Sequence, residues 1–393
     1  MVDSNSDLKN KAVSAGHLAA LDGLRGVAAT VVVACHCLGA VKLPNRSALL
    51  EGPLALLVNA TGAVQLFFVL SGFVLAASLA RNESLRQLPQ YFVRRIFRIH
   101  PPYMFAVLAA WCASFFYAPR SLAGAGPLLR HLSSIHLGPV QLLESLAFPS
   151  RAFLQLSVGW TLEVEMIFSF LLPLMAAIAL RVHWAALLML CLPPLLVGPD
   201  GLEVGKFALD FGLGIALFAE RERLATWFGG LSPAASWCWM VAAIAVFHLP
   251  WFLGWNPKPG GEPDSILVMG LGAAMLTAGA AFQPRLGAPF RARPLLFLGR
   301  VSYSLYLLHY PILILLAPRL LRALPSLDQA VWLFACVFAV ALPLSALSHR
   351  FVERPAIEIG NRLCRMLAPR VGVRVVESRL AAAVPTGAER YSA

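Results

Sequence analysis

Ten apolar stretches dominate this sequence, and each reaches or nearly reaches the length needed to cross a bilayer. A helix rises about 1.5 Å per residue, so a hydrocarbon core of about 30 Å requires about 20 apolar residues. Since lipid offers the backbone no hydrogen-bond partners, such stretches form helices there. Only 13% of the residues are charged, against about 25% in soluble proteins. The stretches lie at residues 22–41, 54–80, 101–118, 157–180, 183–198, 204–219, 234–253, 265–282, 295–317 and 329–348.

The predicted fold class is therefore all-α, a polytopic integral membrane bundle of about ten transmembrane helices. A further stretch, 127–148, is interrupted by Pro127 and Pro139. It predicts a helical or re-entrant piece of an outer loop, or else an eleventh span.

The distribution of basic residues predicts the orientation of the chain. With alternate loops assigned to the cytoplasm, 22 of the 32 Lys and Arg residues lie on that side, as cytoplasmic loops require. Both termini are then cytoplasmic: a short N-terminal segment, 1–17, a transmembrane domain, 18–360, and a basic, partly disordered tail, 361–393. The net charge of +12 indicates orientation and contact with membrane lipids rather than nucleic acid, for which no binding module occurs.

The first span carries three ionisable residues, Asp22, Arg25 and His36. At about 100° per residue, the steps from Arg25 to His36 make three turns and about 20°, so both side chains emerge on one face. The rise of about 16 Å puts Arg25 near one membrane surface and His36 near mid-bilayer. This polar stripe must face protein or water, which marks a functional site.

The most basic loop follows the second span and contains Arg95 and Arg98, one helical turn apart. One interpretation is orientation charge in contact with lipid headgroups. The other is a phosphate site, because guanidinium groups bind phosphate oxygens bidentately and stay charged.

Two later spans add further polar residues. Glu163 and Glu165 open the fourth span but point apart, and Glu165 lies deeper. In the ninth span, Ser302, Tyr306 and His309 follow spacings of four and three residues and form a polar ridge. Each of these residues is a candidate for the site, and each could instead be a satisfied packing residue.

Several familiar catalytic patterns are missing from the sequence. It contains neither the GxSxG motif of serine hydrolases nor the HExxH or paired CxxC motifs of metal sites. We therefore predict no metal.

Taken together, six motifs resemble those of the membrane-bound acyltransferase family 3, which includes O-antigen and exopolysaccharide O-acetylases. The resemblance covers about residues 17–360. The motifs are LDGLRGVAA with His36 eleven residues after Arg25, FFVLSGFVL, RRIFRIHPPY with Arg95 and Arg98, GWTLEVEMIF with Trp160 and Glu165, SYSLYLLHYPI, and ERP at 353–355.

The resemblance implies transfer of an acyl group, usually acetyl, from cytoplasmic acyl-CoA to a hydroxyl of an envelope glycan or exopolysaccharide, in the bacterial inner membrane. Catalytic roles carry over to Arg25, His36 and Glu165, and acetyl-CoA binding to Arg95 and Arg98. Asp22, Trp160, Ser302, Tyr306 and His309 would line the site. A neutral His36 could act as general base or as a transient acyl carrier, with Glu165 holding its ring.

Two alternatives stay open on the sequence alone. The acceptor could be a lipid-linked molecule, a lipid or a small natural product rather than a glycan. A proton-coupled transporter is the alternative from another class, because intramembrane His, Glu and Asp residues can relay protons.

Overall fold

The computed structural model describes residues 4–43, 55–80, 87–116, 125–126, 128–129, 138–147, 156, 158–196, 203–255, 263–321 and 327–367, the side chains of 4–18, 55–56, 196, 203 and 367 excepted. Apart from an isolated bridge between Val41 and Ala125, the regular structure in these ranges is helical. The helices are α1 (Ser4–Ala40), α2 (Ala55–Val58), α3 (Ala60–Ala80), α4 (Leu88–Phe115), α5 (Pro139–Ala147), α6 (Gly159–Arg181), α7 (Trp184–Leu196), α8 (Ala208–Ala219), α9 (Arg221–Gly229), α10 (Pro233–Phe252), α11 (Pro263–Phe282), α12 (Pro284–Gly287), α13 (Arg293–Leu320), α14 (Leu327–Ser348) and α15 (Arg354–Leu367). Short 3-10 turns at Glu203–Phe207 and Pro289–Arg291 and a π-helical turn at His349–Glu353 complete the described helical structure.

The predicted all-α membrane class is confirmed for the described residues. Seven helical segments there are long and apolar enough to cross a membrane. Each of the other apolar stretches is helical too, but α7 has only 13 residues and α8 only 12. The count of about ten spans and the cytoplasmic location of both termini stay predictions. The seven segments are Ala19–Ala40, Ala60–Ala80, Gly159–Arg181, Pro233–Phe252, Pro263–Phe282, Arg293–Leu320 and Leu327–Met366.

Two other predicted segments are described only in part. Within 127–148, α5 has nine residues, so at about 1.5 Å per residue it is too short to span the bilayer. Much of the rest of that stretch lies outside the described residues. Of the predicted tail, α15 extends through Leu367, and the positions beyond it lie outside the described residues.

In the region of the polar stripe, α1 and α13 cross in backbone contact. A Cβ atom added to Gly26 would lie 2.6 Å from the backbone nitrogen of Gly299, and one added to Gly299 would collide with the carbonyl oxygen of Asp22. Glycine allows membrane helices to approach to backbone contact. From this crossing the two helices run parallel, since Arg25 faces Ser302 and Tyr306 and His36 faces His309. The crossing therefore aligns the two polar faces.

A second pair of helices closes the other side of the polar region. A Cβ atom on Gly214 of α8 would collide with the carbonyl oxygen of Val69 of α3, so these helices also touch through their backbones. Next to that contact, the rings of Phe68 and Phe168 both stack on Phe211. Aromatic packing thus fixes α3 and α8 against α6.

Candidate functional site

A small cavity opens where α1, α3, α6 and α13 meet, and its volume is about 40 Å³. At about 10–15 Å³ per water molecule, this space holds about three waters or one small chemical group. It is lined by Arg25, Val64, Phe67, Phe68, Ser71, Thr161, Leu162, Glu165, Ser302, Tyr303 and Tyr306.

Arg25 is the cation that faces this cavity. Its Nε is buried and has no hydrogen-bond partner among the described residues. Its charge interacts with those of Arg98, Glu165, Asp22 and Arg95. A buried donor without a partner costs about 1–3 kcal/mol, and an oxygen atom of a ligand would satisfy it. Arg25 is therefore placed to bind a carbonyl oxygen or an anion in the cavity.

Glu165, on the cavity wall, pairs with Arg95 of α4. Nη2 of Arg95 lies 2.5 Å from Oε1 of Glu165, and Nε of Arg95 donates to Oγ of Ser169 at 2.8 Å. Only 9% of the Arg95 side chain is exposed. Two of its three nitrogens are thus committed to α6, so Arg95 fixes Glu165 rather than reaching outward.

Arg98 lies one turn further along α4 and is more accessible, with 41% of its side chain exposed. Its Nη1 lies 4.0 Å from Oε1 of the buried Glu353. Oγ of Ser304 donates to Oε2 of Glu353 at 3.1 Å, and Nδ1 of His349 lies 3.2 Å from the same oxygen. The buried carboxylate of Glu353 thus lies next to the accessible guanidinium of Arg98, which stays at the edge of the bundle.

Sequence reasoning did not single out Glu353 as a site residue. It lies between Arg350 and Arg354, and an acidic residue among basic ones gives no indication of a site. Its position depends on the π-helical turn His349–Glu353, a local widening of the helix that is common at functional sites. The available signal was the ERP motif at 353–355.

Beyond the cavity, His36 of α1 meets His309 of α13. Nδ1 of His36 lies 2.8 Å from Nε2 of His309. The ring planes are within 9° of parallel and the ring centres are 5.1 Å apart. The distance between the two nitrogens is shorter than the distance between the two ring centres by about the sum of the two ring radii. The rings therefore lie edge to edge in one plane. This is the geometry of a well-aligned hydrogen bond.

Tyr306 links the cavity to this histidine pair. Its hydroxyl lies 2.8 Å from Oγ1 of Thr161 on the cavity wall, and its ring meets the edge of His309 with centres 6.1 Å apart. The hydrogen-bond partner of His36 in the described structure is thus His309, and Glu165 instead holds Arg95. The expectation that Glu165 orients the His36 ring has no support in these contacts.

The remaining predicted residues divide between the cavity and its surroundings. Ser302 lines the cavity, and its hydroxyl donates to the carbonyl oxygen of Gly299 at 2.8 Å. Trp160 instead packs against Phe207, with ring centres 5.5 Å apart. The side chain of Asp22 is exposed, and its charge acts on Arg25 from one turn earlier in α1.

Comparison with known proteins identifies the family. A family model described as an acyltransferase domain matches residues 18–350. The chain is 26% identical over 376 residues to the peptidoglycan O-acetyltransferase OatA of Listeria monocytogenes serovar 1/2a, a match that covers 86% of this chain. The chain spans 56% of that relative's length. No solved structure matches significantly. Because the family match includes every helix that carries the cavity and the histidine pair, the chain belongs to acyltransferase family 3 and is an integral membrane protein.

Proposed function

We propose that this protein transfers an acetyl group from cytoplasmic acetyl-CoA to a hydroxyl of a cell-envelope glycan, in the bacterial inner membrane. The unpaired Nε of Arg25, a residue that lines the cavity, carries the proposal, because a transferred acyl group provides the missing oxygen partner. The name of the Listeria relative, a peptidoglycan O-acetyltransferase, supports an envelope glycan as acceptor. Partial coverage of that relative leaves the acceptor a proposal.

The dimensions of the site support a divided binding mode for acetyl-CoA. The cavity of about 40 Å³ has room for an acetyl group but none for a nucleotide. The phosphates must therefore lie outside it, where Arg98 is half-exposed and held by Glu353. Guanidinium groups bind phosphate oxygens in this way. In this proposal Arg98 contacts the phosphates, and Arg95 supports the adjacent wall through Glu165.

The proposed reaction needs one base and one group that donates a hydrogen bond to the oxyanion. His36 takes the proton of the acceptor hydroxyl as the hydroxyl oxygen attacks the thioester carbonyl carbon. Arg25 donates to the carbonyl oxygen, which becomes an oxyanion in the tetrahedral intermediate. When the carbon–sulfur bond breaks, the coenzyme A thiolate takes the proton from His36. The products are the O-acetyl ester and free coenzyme A, and both Arg25 and His36 return to their starting state.

Replacing the base tests the proposal most directly. We expect His36→Ala to lower transfer from radiolabelled acetyl-CoA by about 10²- to 10⁴-fold in proteoliposomes, the usual contribution of general acid–base catalysis. His183→Ala is the matched control, because His183 is exposed at the start of α7 and its loss should leave the rate unchanged. A wild-type rate for His36→Ala would refute the proposed role.

The donor site is tested by comparing two thioesters. For Arg98→Ala we expect the KM for acetyl-CoA to rise about tenfold, the equivalent of about 1.4 kcal/mol. The KM for acetyl-pantetheine, which lacks phosphates, should stay unchanged. Arg223→Ala, a change at an exposed side chain, should affect neither donor. Equal KM changes for both thioesters would reject phosphate binding by Arg98.

The acceptor class requires a measurement on cells. Mass spectrometry of envelope glycans, lipids and secreted small molecules, with and without the gene, should reveal which molecule loses an ester. Loss from a glycan supports the proposal, whereas loss from a lipid or a small molecule alone would transfer the same chemistry to that acceptor and overturn the glycan assignment.

A further inference from the structure

The contacts of His309 determine which nitrogen of each paired imidazole carries a hydrogen. Nδ1 of His309 lies 3.1 Å from the carbonyl oxygen of Leu305, one turn earlier in α13. A carbonyl oxygen can only accept, so this nitrogen must be the donor. In a neutral imidazole the other nitrogen, Nε2, then has a free lone pair and must accept.

The same reasoning extends to His36 across the 2.8 Å contact. Since Nε2 of His309 accepts, Nδ1 of His36 must donate to it. A neutral His36 is then left with a lone pair on Nε2. One backbone carbonyl, that of Leu305, therefore fixes both tautomers in sequence.

From this geometry we propose that His309 is a positioning residue, which holds His36 in the tautomer whose Nε2 reacts. The inference rests on the proposed acetyl transfer and deepens it, because it names the reacting atom and the residue that prepares it. The logic is that of the third member of a hydrolase triad, which orients the catalytic histidine. Here an imidazole nitrogen occupies the place of the carboxylate oxygen.

The hydrogen bond also contributes during the reaction. When Nε2 of His36 takes the hydroxyl proton, the ring becomes an imidazolium whose Nδ1–H still points at His309. The hydrogen bond then becomes charge-assisted and stronger, which stabilises the transition state. The proton leaves from the same Nε2 to the coenzyme A thiolate, and His309 neither gains nor loses a proton.

Packing keeps the His309 ring in this orientation. The side chain is fully buried, and the rings of Tyr306 and Tyr310 meet it edge-on with centres 6.1 and 6.3 Å away. His36, in contrast, is only half-buried. This difference in burial suits the proposed roles, with His309 as a fixed hydrogen-bond acceptor and His36 as a base that a reactant can approach.

Two variants of His309 separate positioning from packing. His309→Leu removes the acceptor but retains bulk, whereas in His309→Gln the side-chain oxygen can accept near the position of Nε2. We expect the leucine variant to lose about 10- to 100-fold in kcat, by analogy with removal of the orienting partner of a metal-bound histidine, at an unchanged KM for acetyl-CoA. The glutamine variant should recover most of that loss. A wild-type kcat for leucine, or equal losses for both variants, would overturn the proposal.

A measurement on the unmodified protein covers the case in which a buried variant fails to fold. In wild-type protein labelled with 15N-histidine, the His36 signals, assigned by their disappearance in His36→Asn, should show a protonated Nδ1 and an unprotonated Nε2. The opposite tautomer would refute the inference. Failure of the proposed function is distinguishable, because it would show as full activity of His36→Ala, whereas an inactive His36→Ala beside a fully active His309→Leu rejects His309 alone.

Discussion

Nη2 of Arg95 lies 2.5 Å from Oε1 of Glu165, and both side chains are largely enclosed between α4 and α6. Removing one partner of a buried ion pair leaves an uncompensated charge and costs about 3–5 kcal/mol, whereas apolar replacement of both is often neutral. This pair therefore links α4 to α6, and its Glu165 member forms part of the cavity wall.

We expect Arg95→Met and Glu165→Met each to lower the thermal unfolding midpoint in detergent, and the double variant to recover most of the loss. Activity should stay low in all three proteins, because the cavity loses its polar wall. A double variant less stable than either single variant would contradict the buried-pair argument.

The crossing of α1 and α13 should not tolerate a methyl group. In Gly26→Ala the new Cβ would lie 2.6 Å from the Gly299 nitrogen, so the helices must move apart and the His36–His309 contact must lengthen. We expect kcat to fall by at least about tenfold, since misplacement by about 1 Å can cost 10²-fold. Gly229→Ala is the control, because a Cβ there meets no atom within 4 Å. An active, stable Gly26→Ala protein would show that the close crossing is dispensable.

Charge alone should not replace the geometry of Arg25. In Arg25→Lys the positive charge stays, but the buried, unpaired Nε–H is lost. We expect kcat to fall by about 10²- to 10³-fold, the usual effect of removing one oxyanion donor, while Arg223→Lys leaves it unchanged. The measurement is the single-turnover rate of acetyl transfer. Full activity of the lysine variant would mean that only the charge matters.

The size of the cavity should set the length of the acyl chain. Val64→Ala removes two methyl groups from the wall of a space of about 40 Å³. Because one methylene in an apolar pocket is worth about 10- to 200-fold in discrimination, we expect the kcat/KM ratio of propionyl-CoA to acetyl-CoA to rise at least about tenfold.

A matched valine provides the control for this prediction. Val31 lies on a different face of α1 from Arg25 and lines a separate apolar groove. We therefore expect Val31→Ala to leave the acyl preference unaltered. If both valine variants changed the ratio equally, the acyl group would not occupy this cavity.

The helices were predictable from sequence because length and apolarity are local properties. The ten apolar stretches are helical in the described residues, but α7 and α8 are too short for a confident span by length alone. The count of spans is harder to predict than their existence, because a short apolar helix can be buried among other helices instead of crossing the lipid.

The site residues were predictable only as separate faces of separate helices. Spacing put Arg25 and His36 on one face of α1, and Ser302, Tyr306 and His309 on one ridge of α13. It gave no partner for Arg95, whose pairing with Glu165 arises where α4 packs on α6. It also overlooked Glu353, whose importance arises from its contacts with Ser304 and Arg98.

The amino-acid sequence by itself therefore determined the membrane helices, the family and the polar stripe of α1, since helical periodicity relates residues a few positions apart. Tertiary structure alone decided that Nδ1 of His36 meets Nε2 of His309, 273 residues away. That contact depends on the backbone approach of α1 and α13 at Gly26 and Gly299. Which faces of two helices meet is a property of packing in three dimensions, and no local pattern along the chain encodes it.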